Sequence, residues 1–286
     1  MNANQGPKKL NRFVEYLPGF IKFYKIKNEY IAPLVFIVLL GALFILTALK
    51  SNIVTDNSIN KVLDMVNSND IDYAKYFKYL SSLSIATCLL NLTYVGSNLI
   101  SKIVTSVYLA AYIKDQKDEP YFFKSILLTS VRSLKNIILT SVDFYAVVLL
   151  GLALLLLSFG SVYAAVLVMP LVFAGCIGWG VLKLFFIFSN CIVLDKGKGF
   201  SASIKSSMKL IEGSRGSIFL YIIVFSVLAQ VTSVFIASLF SSLSSLIYLV
   251  FIPTFIDVIA RLMQVRFVAR MYVDLEYGQV EKEEEF

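Results

Sequence analysis

Apolar positions in this chain run in long blocks broken by short basic links, without the strict alternation of a half-buried strand. The first block, IAPLVFIVLLGALFILTAL over residues 31–49, carries no charge. A helix of about 20 such residues crosses a hydrocarbon layer of about 30 Å, so the block predicts a membrane span. Residues 80–113 predict a second span, interrupted by Asn91, Thr93, Ser97, Asn98 and Lys102. A third, over 137–159, ends in the lipophilic run VVLLGLALLLLSF. The fourth, over 162–194, would be about 50 Å long as one straight helix. It contains Pro170, Gly175, Gly178 and Gly180, and a kink or break is expected near Pro170, which removes a backbone donor. Residues 218–236 and 246–271 predict a fifth and a sixth span, separated by SLFSSLSSL. The fold class expected is an all-α polytopic membrane protein with six transmembrane helices.

Two links have a different period. In VLDKGKGFSASIKSSMKLI (193–211) a glycine-rich turn precedes Phe200, Ile204, Met208 and Ile211 at helical spacing, with Lys205, Ser206, Ser207 and Lys209 opposite. Such a helix lies at the headgroup level with its apolar face down and its lysines toward anionic lipid. PYFFKSILLTSVRSLKNII (120–138) repeats the device, with Phe123, Ile126 or Leu127, Val131 and Leu134 beside Lys124, Arg132 and Lys135. Phe122, Ser125 and Ile126 match Phe200, Ser203 and Ile204 at a constant offset, which suggests a weak internal duplication. Two cytoplasmic amphipathic interfacial helices are therefore expected.

Charge then orients the spans. Most of the 26 basic residues fall in the segment before span one, in the links after spans two and four, and at the C-terminal end. The segment 50–79 balances its lysines with aspartates, and the other two links are uncharged. By the positive-inside rule both termini lie in the cytoplasm. Residues 1–30 form a basic cytoplasmic segment without the apolar core or cleavage site of a secretory signal, so span one is expected to act as an uncleaved insertion signal. The transmembrane domain covers 31–271, with 50–79 outside the cell, and 272–286 form a cytoplasmic tail ending in the acidic run EKEEEF. The net charge of +7 follows from this topology and implies no nucleic-acid partner.

Composition narrows the chemistry. Hydrophobic residues make up 58% of the chain and charged ones 16%, too apolar a balance for one soluble core. No histidine is present, which removes the commonest general base, zinc ligand and nucleophile activator together. Cys88, Cys176 and Cys191 lie in or at the ends of apolar runs without CxxC spacing and read as small core hydrophobes. With no P-loop and no dinucleotide glycine pattern, the sequence predicts no enzyme, no metal site and no cofactor.

A broken span with proline and glycine, then FSNCIVLDKGKGFSASIKSSMKLIEGSRGSIF, then two more spans, resembles the six-helix membrane domain found beside some bacterial glycerophosphodiester phosphodiesterases. It is also similar to related bacterial membrane proteins of uncharacterised function. The resemblance covers roughly 80–278 and implies architecture alone. In that family catalysis belongs to a soluble, histidine-using domain that has no counterpart here.

Ionisable and amide groups inside spans are functional candidates by default, because burying them in lipid is costly. They are Asn91, Asn98 and Lys102 in span two, Asp143 in span three, Lys183 in span four, and Asp257 and Arg261 in span six. Asp143 and Lys183 could neutralise each other, and Asp257 and Arg261, four apart, could pair on one face. Arg266 and Arg270 are expected to reach lipid headgroups. Two functions are open at this point. One is a non-catalytic protein of the cell membrane that binds lipid and another membrane protein or a second copy of itself, as an accessory, assembly or immunity-like factor. The other is a transporter or channel-type subunit with a polar path through the bundle.

Overall fold

The computed structural model describes residues 13–55, 73–140, 170, 178, 181–240 and 246–278, and every regular element among them is a helix. The helices are α1 (Phe13–Ile21), α2 (Ile31–Thr55), α3 (Tyr73–Gln116), α4 (Phe123–Arg132), α5 (Leu134–Leu139), α6 (Ser189–Lys196), α7 (Phe200–Leu210), α8 (Arg215–Phe240) and α9 (Leu246–Tyr277). Two stretches, in α2 over 31–49 and in α8 over 215–236, are long and apolar enough to cross a membrane. Most of each stretch is exposed, with 28% and 12% of its most apolar window buried. Leu34, Ile37, Val38 and Ile45 of α2 and Val227, Val231, Val234 and Phe235 of α8 are exposed. Apolar faces of this extent need a nonaqueous or protein partner.

α3 and α9 coincide with predicted spans two and six and are long enough to cross, but amide and charged side chains interrupt both. Most of predicted spans three and four, the segment 56–72 and the tail beyond 278 lie outside the described residues. The expected break near Pro170 falls in that undescribed part, but a break is present further on. Residues 181–185 are helical, 186–188 form a turn, and α6 restarts at Ser189 with no proline or glycine between. The Ser189 amide bonds to the Phe186 carbonyl at 3.0 Å, which leaves the Phe185 carbonyl without its helical donor. The Ser207 hydroxyl of α7 donates to it at 2.7 Å.

Rings and polar pairs set the directions of the long helices. Phe36 meets Phe255 and Phe44 meets Phe251 at centroid distances of 5.5 and 6.3 Å, so α2 and α9 run antiparallel. Asn98 with Arg261, Tyr108 with Arg266 and Lys117 with Tyr277 climb α3 and α9 in the same sense, so these two are parallel. α1, unforeseen in the sequence, docks on α8 and α9 through aromatic edges. Phe267 is 1% exposed, stacked on Phe225 at 5.5 Å and touched edge-on by Phe13 and Tyr16, each at 5.7 Å. Within the segment 1–30, Tyr16 and Ile26 thus enter the core, with Phe13, Leu17 and Phe23 packed against it. Gly19 of α1 lies directly under the Arg270 side chain of α9.

The two short amphipathic helices are present and both fold back on the element before them, α4 on α3 and α7 on α6. Their inward faces are Ile126 with Ser130, and Ser203 with Ser207. The helix starts Phe123 and Phe200 and the buried positions Ile126 and Ser203 all correspond at a shift of 77. The F-x-x-S-I match is one residue out of this register: the equivalent of Ser203 in the packing is Ile126, not Ser125. In α7 the small serines face the protein because they permit close helix approach, and Phe200, Ile204 and Met208 lie at the margin, intermediate or exposed.

Truncating Phe267 to alanine removes the ring that three elements share, at a cost of about 3–5 kcal/mol. Phe267→Ala is expected to release α1 and to speed tryptic cleavage at Lys22 and Lys25 in detergent, measured against the wild type by time-resolved gel. Unchanged cleavage would mean that α1 is held by something else.

Candidate functional site

Polar groups gather at the end of the bundle where α1, the start of α2, the end of α3, α6, α7 and the end of α9 meet. α6 ends at Gly197, whose φ of 61° is the left-handed conformation that glycine adopts at least cost. This glycine stops the helix directly after Asp195 and Lys196 and turns the chain into α7. The Asp195 side chain is 3% exposed. It accepts hydrogen bonds from the Tyr272 hydroxyl at 2.6 Å, from the Tyr277 hydroxyl, and from the Lys117 ammonium at 3.2 Å. Lys196 and Glu276 pair beside it. One carboxylate thus ties the ends of α3 and α9 to the turn between α6 and α7. Cys191, one turn back, is a buried free thiol that packs as a hydrophobe.

The donors respond electrostatically. Burial, then the bond to Asp195, pushes the Tyr277 hydroxyl up to about 12, and the same causes raise Tyr272. Lys117 also titrates above the ordinary lysine value, first through its bond to Glu119 and then through Asp195, against the opposing effect of burial. A cavity of about 270 Å³ adjoins the carboxylate, with Lys114, Glu119 and Thr129 also in its wall.

A second knot lies alongside. Arg266 is 5% exposed, stacks over the Tyr112 ring at 4.7 Å, and donates to the Lys25 carbonyl at 2.7 Å and to the Tyr108 hydroxyl at 3.3 Å. Tyr108 donates in turn to the Phe23 carbonyl at 2.7 Å, and the buried Asp115 accepts from the Lys27 amide at 2.9 Å. The segment joining α1 to α2 is thereby laced to α3 and α9. Asp118, with φ of 54°, caps this lacing through a 2.7 Å ion pair with Lys27 that raises the lysine pKa.

The expected lipid-facing position of Arg266 is therefore corrected: its guanidinium turns inward, because the loop carbonyl and the two tyrosines offer it bonds and a ring face that lipid would not. Arg270 is half-buried against Gly19 of α1. Phe123, Lys124, Arg132, Lys135, Lys205, Met208 and Lys209 are exposed, and Phe200 and Ile204 intermediate. Of the intramembrane candidates, three come together: Arg261 donates to Asp257 at 2.9 Å and to the Asn98 side-chain oxygen at 2.9 Å. Lys102 is half-buried on α3, and Lys183 is exposed. Asp143 and the Asn91 side chain lie outside the described residues, and the Asp143–Lys183 pair with them.

Among the described residues no group of three or more His, Cys, Asp or Glu is placed to hold a metal ion. The Asp195 centre escaped sequence reasoning, which read Lys117 only as an orienting charge and Asp195 only as part of a turn. The usable signal was an acid two residues before a helix-stopping glycine. No family model, no curated protein and no solved structure matches this chain.

Asp195→Asn leaves three donors facing a weaker, partly mismatched acceptor and is expected to cost about 2–4 kcal/mol. Lys117→Met, at a partly exposed position, is expected to cost about 1 kcal/mol or less. Thermal unfolding in detergent orders the two, and a larger loss for Lys117→Met would remove Asp195 from the centre. Because the folded pKa values of Tyr272, Tyr277 and Lys117 lie above the ordinary 10.0 and 10.5, the unfolded chain gives up those protons first. Their contribution is complete at neutral pH and is lost as pH rises above about 10. Tyr277→Phe is expected to flatten the fall of melting temperature between about pH 10 and 12.

Proposed function

We propose that this chain is a non-catalytic integral membrane protein of six transmembrane helices, with both termini cytoplasmic, which binds membrane lipid or a membrane-protein partner as an accessory, assembly or immunity-like factor. The carrying observation is the collection of the basic segments at one end of the bundle. Lys27, Lys117, Lys196 and Arg266, from four different parts of the chain, engage partners there. Around them the exposed Lys124, Arg132, Lys135, Lys205 and Lys209 sit on short helices that also expose Phe123, Leu127, Val131 and Met208. Cations beside exposed apolar side chains suit the boundary between headgroups and acyl chains of an anionic leaflet.

The second reading, a transporter or channel-type subunit, is favoured by the Asn98–Arg261–Asp257 cluster. An acid, a base and an amide linked between α3 and α9 could line a wet path, but they could equally fix helix register. In intact cells an impermeant maleimide is expected to leave cysteines placed at Lys205 and at Lys9 unlabelled, while inverted vesicles label both. Opposite labelling of the two would end the six-span topology. A cysteine at Asn98 is expected to stay unlabelled in both preparations, and its labelling would favour transport.

A further inference from the structure

Between α2, α3 and α4 runs an apolar groove of about 250 Å³. Val35, Val104 and Val107 form its floor, and Leu34, Val38, Leu127 and Val131 stand exposed along its lips. Two hydroxyls interrupt the wall. Ser106 donates to its own helix at the Ile103 carbonyl, 2.6 Å away. Ser130 is 4% exposed, and its hydroxyl has no partner. An unsatisfied hydroxyl inside an apolar slot is costly unless an occupant supplies an acceptor.

The charges beside the slot point to the class of occupant. Lys124 and Lys135 are exposed on α4 and at the start of α5, each next in sequence to a residue of the groove wall, Phe123 and Leu134. Arg132 follows on the adjoining face. None of these three has a carboxylate partner among the described residues. The nearest acids along the chain are engaged elsewhere, Asp118 by Lys27 and Glu119 by Lys114 and Lys117. The slot is smaller than the roughly 300–1,000 Å³ of common small-molecule sites and is walled almost wholly by apolar side chains, which suits a single hydrocarbon chain.

We propose that the groove holds one acyl chain of an anionic glycerophospholipid from the cytoplasmic leaflet. Its ester carbonyl accepts the Ser130 hydrogen bond, and its phosphate lies against Lys124 and Lys135. The inference rests on the membrane reading above and adds the site and the lipid class. α4 is then a clamp over one bound lipid as well as a float on many.

Native mass spectrometry of the full chain, in mild detergent doped with phosphatidylglycerol or phosphatidylcholine, tests it. The wild type is expected to retain phosphatidylglycerol over phosphatidylcholine. Leu127→Trp fills the slot, and Lys124→Gln with Lys135→Gln removes only exposed charge and does not threaten folding. Each is expected to lower phosphatidylglycerol retention by about tenfold or more, with the melting temperature of the lysine double variant unchanged. Wild-type retention in both variants overturns the groove as the site and leaves it to a protein segment or a second copy, while the membrane reading stands. A wild-type chain that stays soluble without detergent and retains no phospholipid would overturn both.

Discussion

A single carboxylate holds the charged end of this bundle closed. Asp195 receives two tyrosine hydroxyls and an ammonium group from segments that lie 77 to 82 residues away in sequence. Each donor alone is an ordinary hydrogen bond. Converging on one charge shielded from water, they become mutually dependent, since removing the acceptor strands all of them. Gly197 ends α6 directly after Asp195 and Lys196, which leaves the acid at the level where α3 and α9 terminate.

Around that closure the parallel pair of α3 and α9 acts as a frame. α2 packs antiparallel against it, and α4, α5 and α6 lean on α3, while α1 and α8 lean on α9. The frame decides what each short helix can do. α4 packs on α3 with Ile126 and Ser130 inward, and its lip residues Leu127 and Val131 leave the apolar groove open toward α2. α7 has the serine-lined inward face instead, packs flush on α6, and satisfies the carbonyl freed by the turn at 186–188. Two helices alike in sequence pattern thus differ in consequence: one leaves a slot and the other mends a break.

Much of this order could be read from residue pattern, and the failures have physical causes. The charge-free block at 31–49 and the run within α8 stand out because lipid-compatible length and composition are local properties. The interrupted blocks that became α3 and α9 were found as helices, but their amides and cations, read as a polar face or as headgroup anchors, serve largely as inter-helix ties. Arg266 shows why: whether an arginine snorkels outward or turns inward depends on what faces it, and Tyr108, Tyr112 and the Lys25 carbonyl arrive from distant parts of the chain. Asp257 with Arg261 was legible as an i, i+4 pair; Asn98 joining it was not, being 163 residues away. Letter identity aligned Ser125 with Ser203, whereas the buried positions that correspond between the two helices are Ile126 and Ser203. α1 was missed because nine residues with a central proline carry too little periodicity to stand out, and its aromatic partners lie on α8 and α9.

The docking of α1 has a consequence for biogenesis. Phe13 and Tyr16 leave the ribosome long before Phe267, which completes the surface that receives them. Until Phe267 has been made, this oily helix has no permanent seat and must wait. Docking of α1 therefore reports that α9 has arrived: an early segment is put away only when a late one is in place.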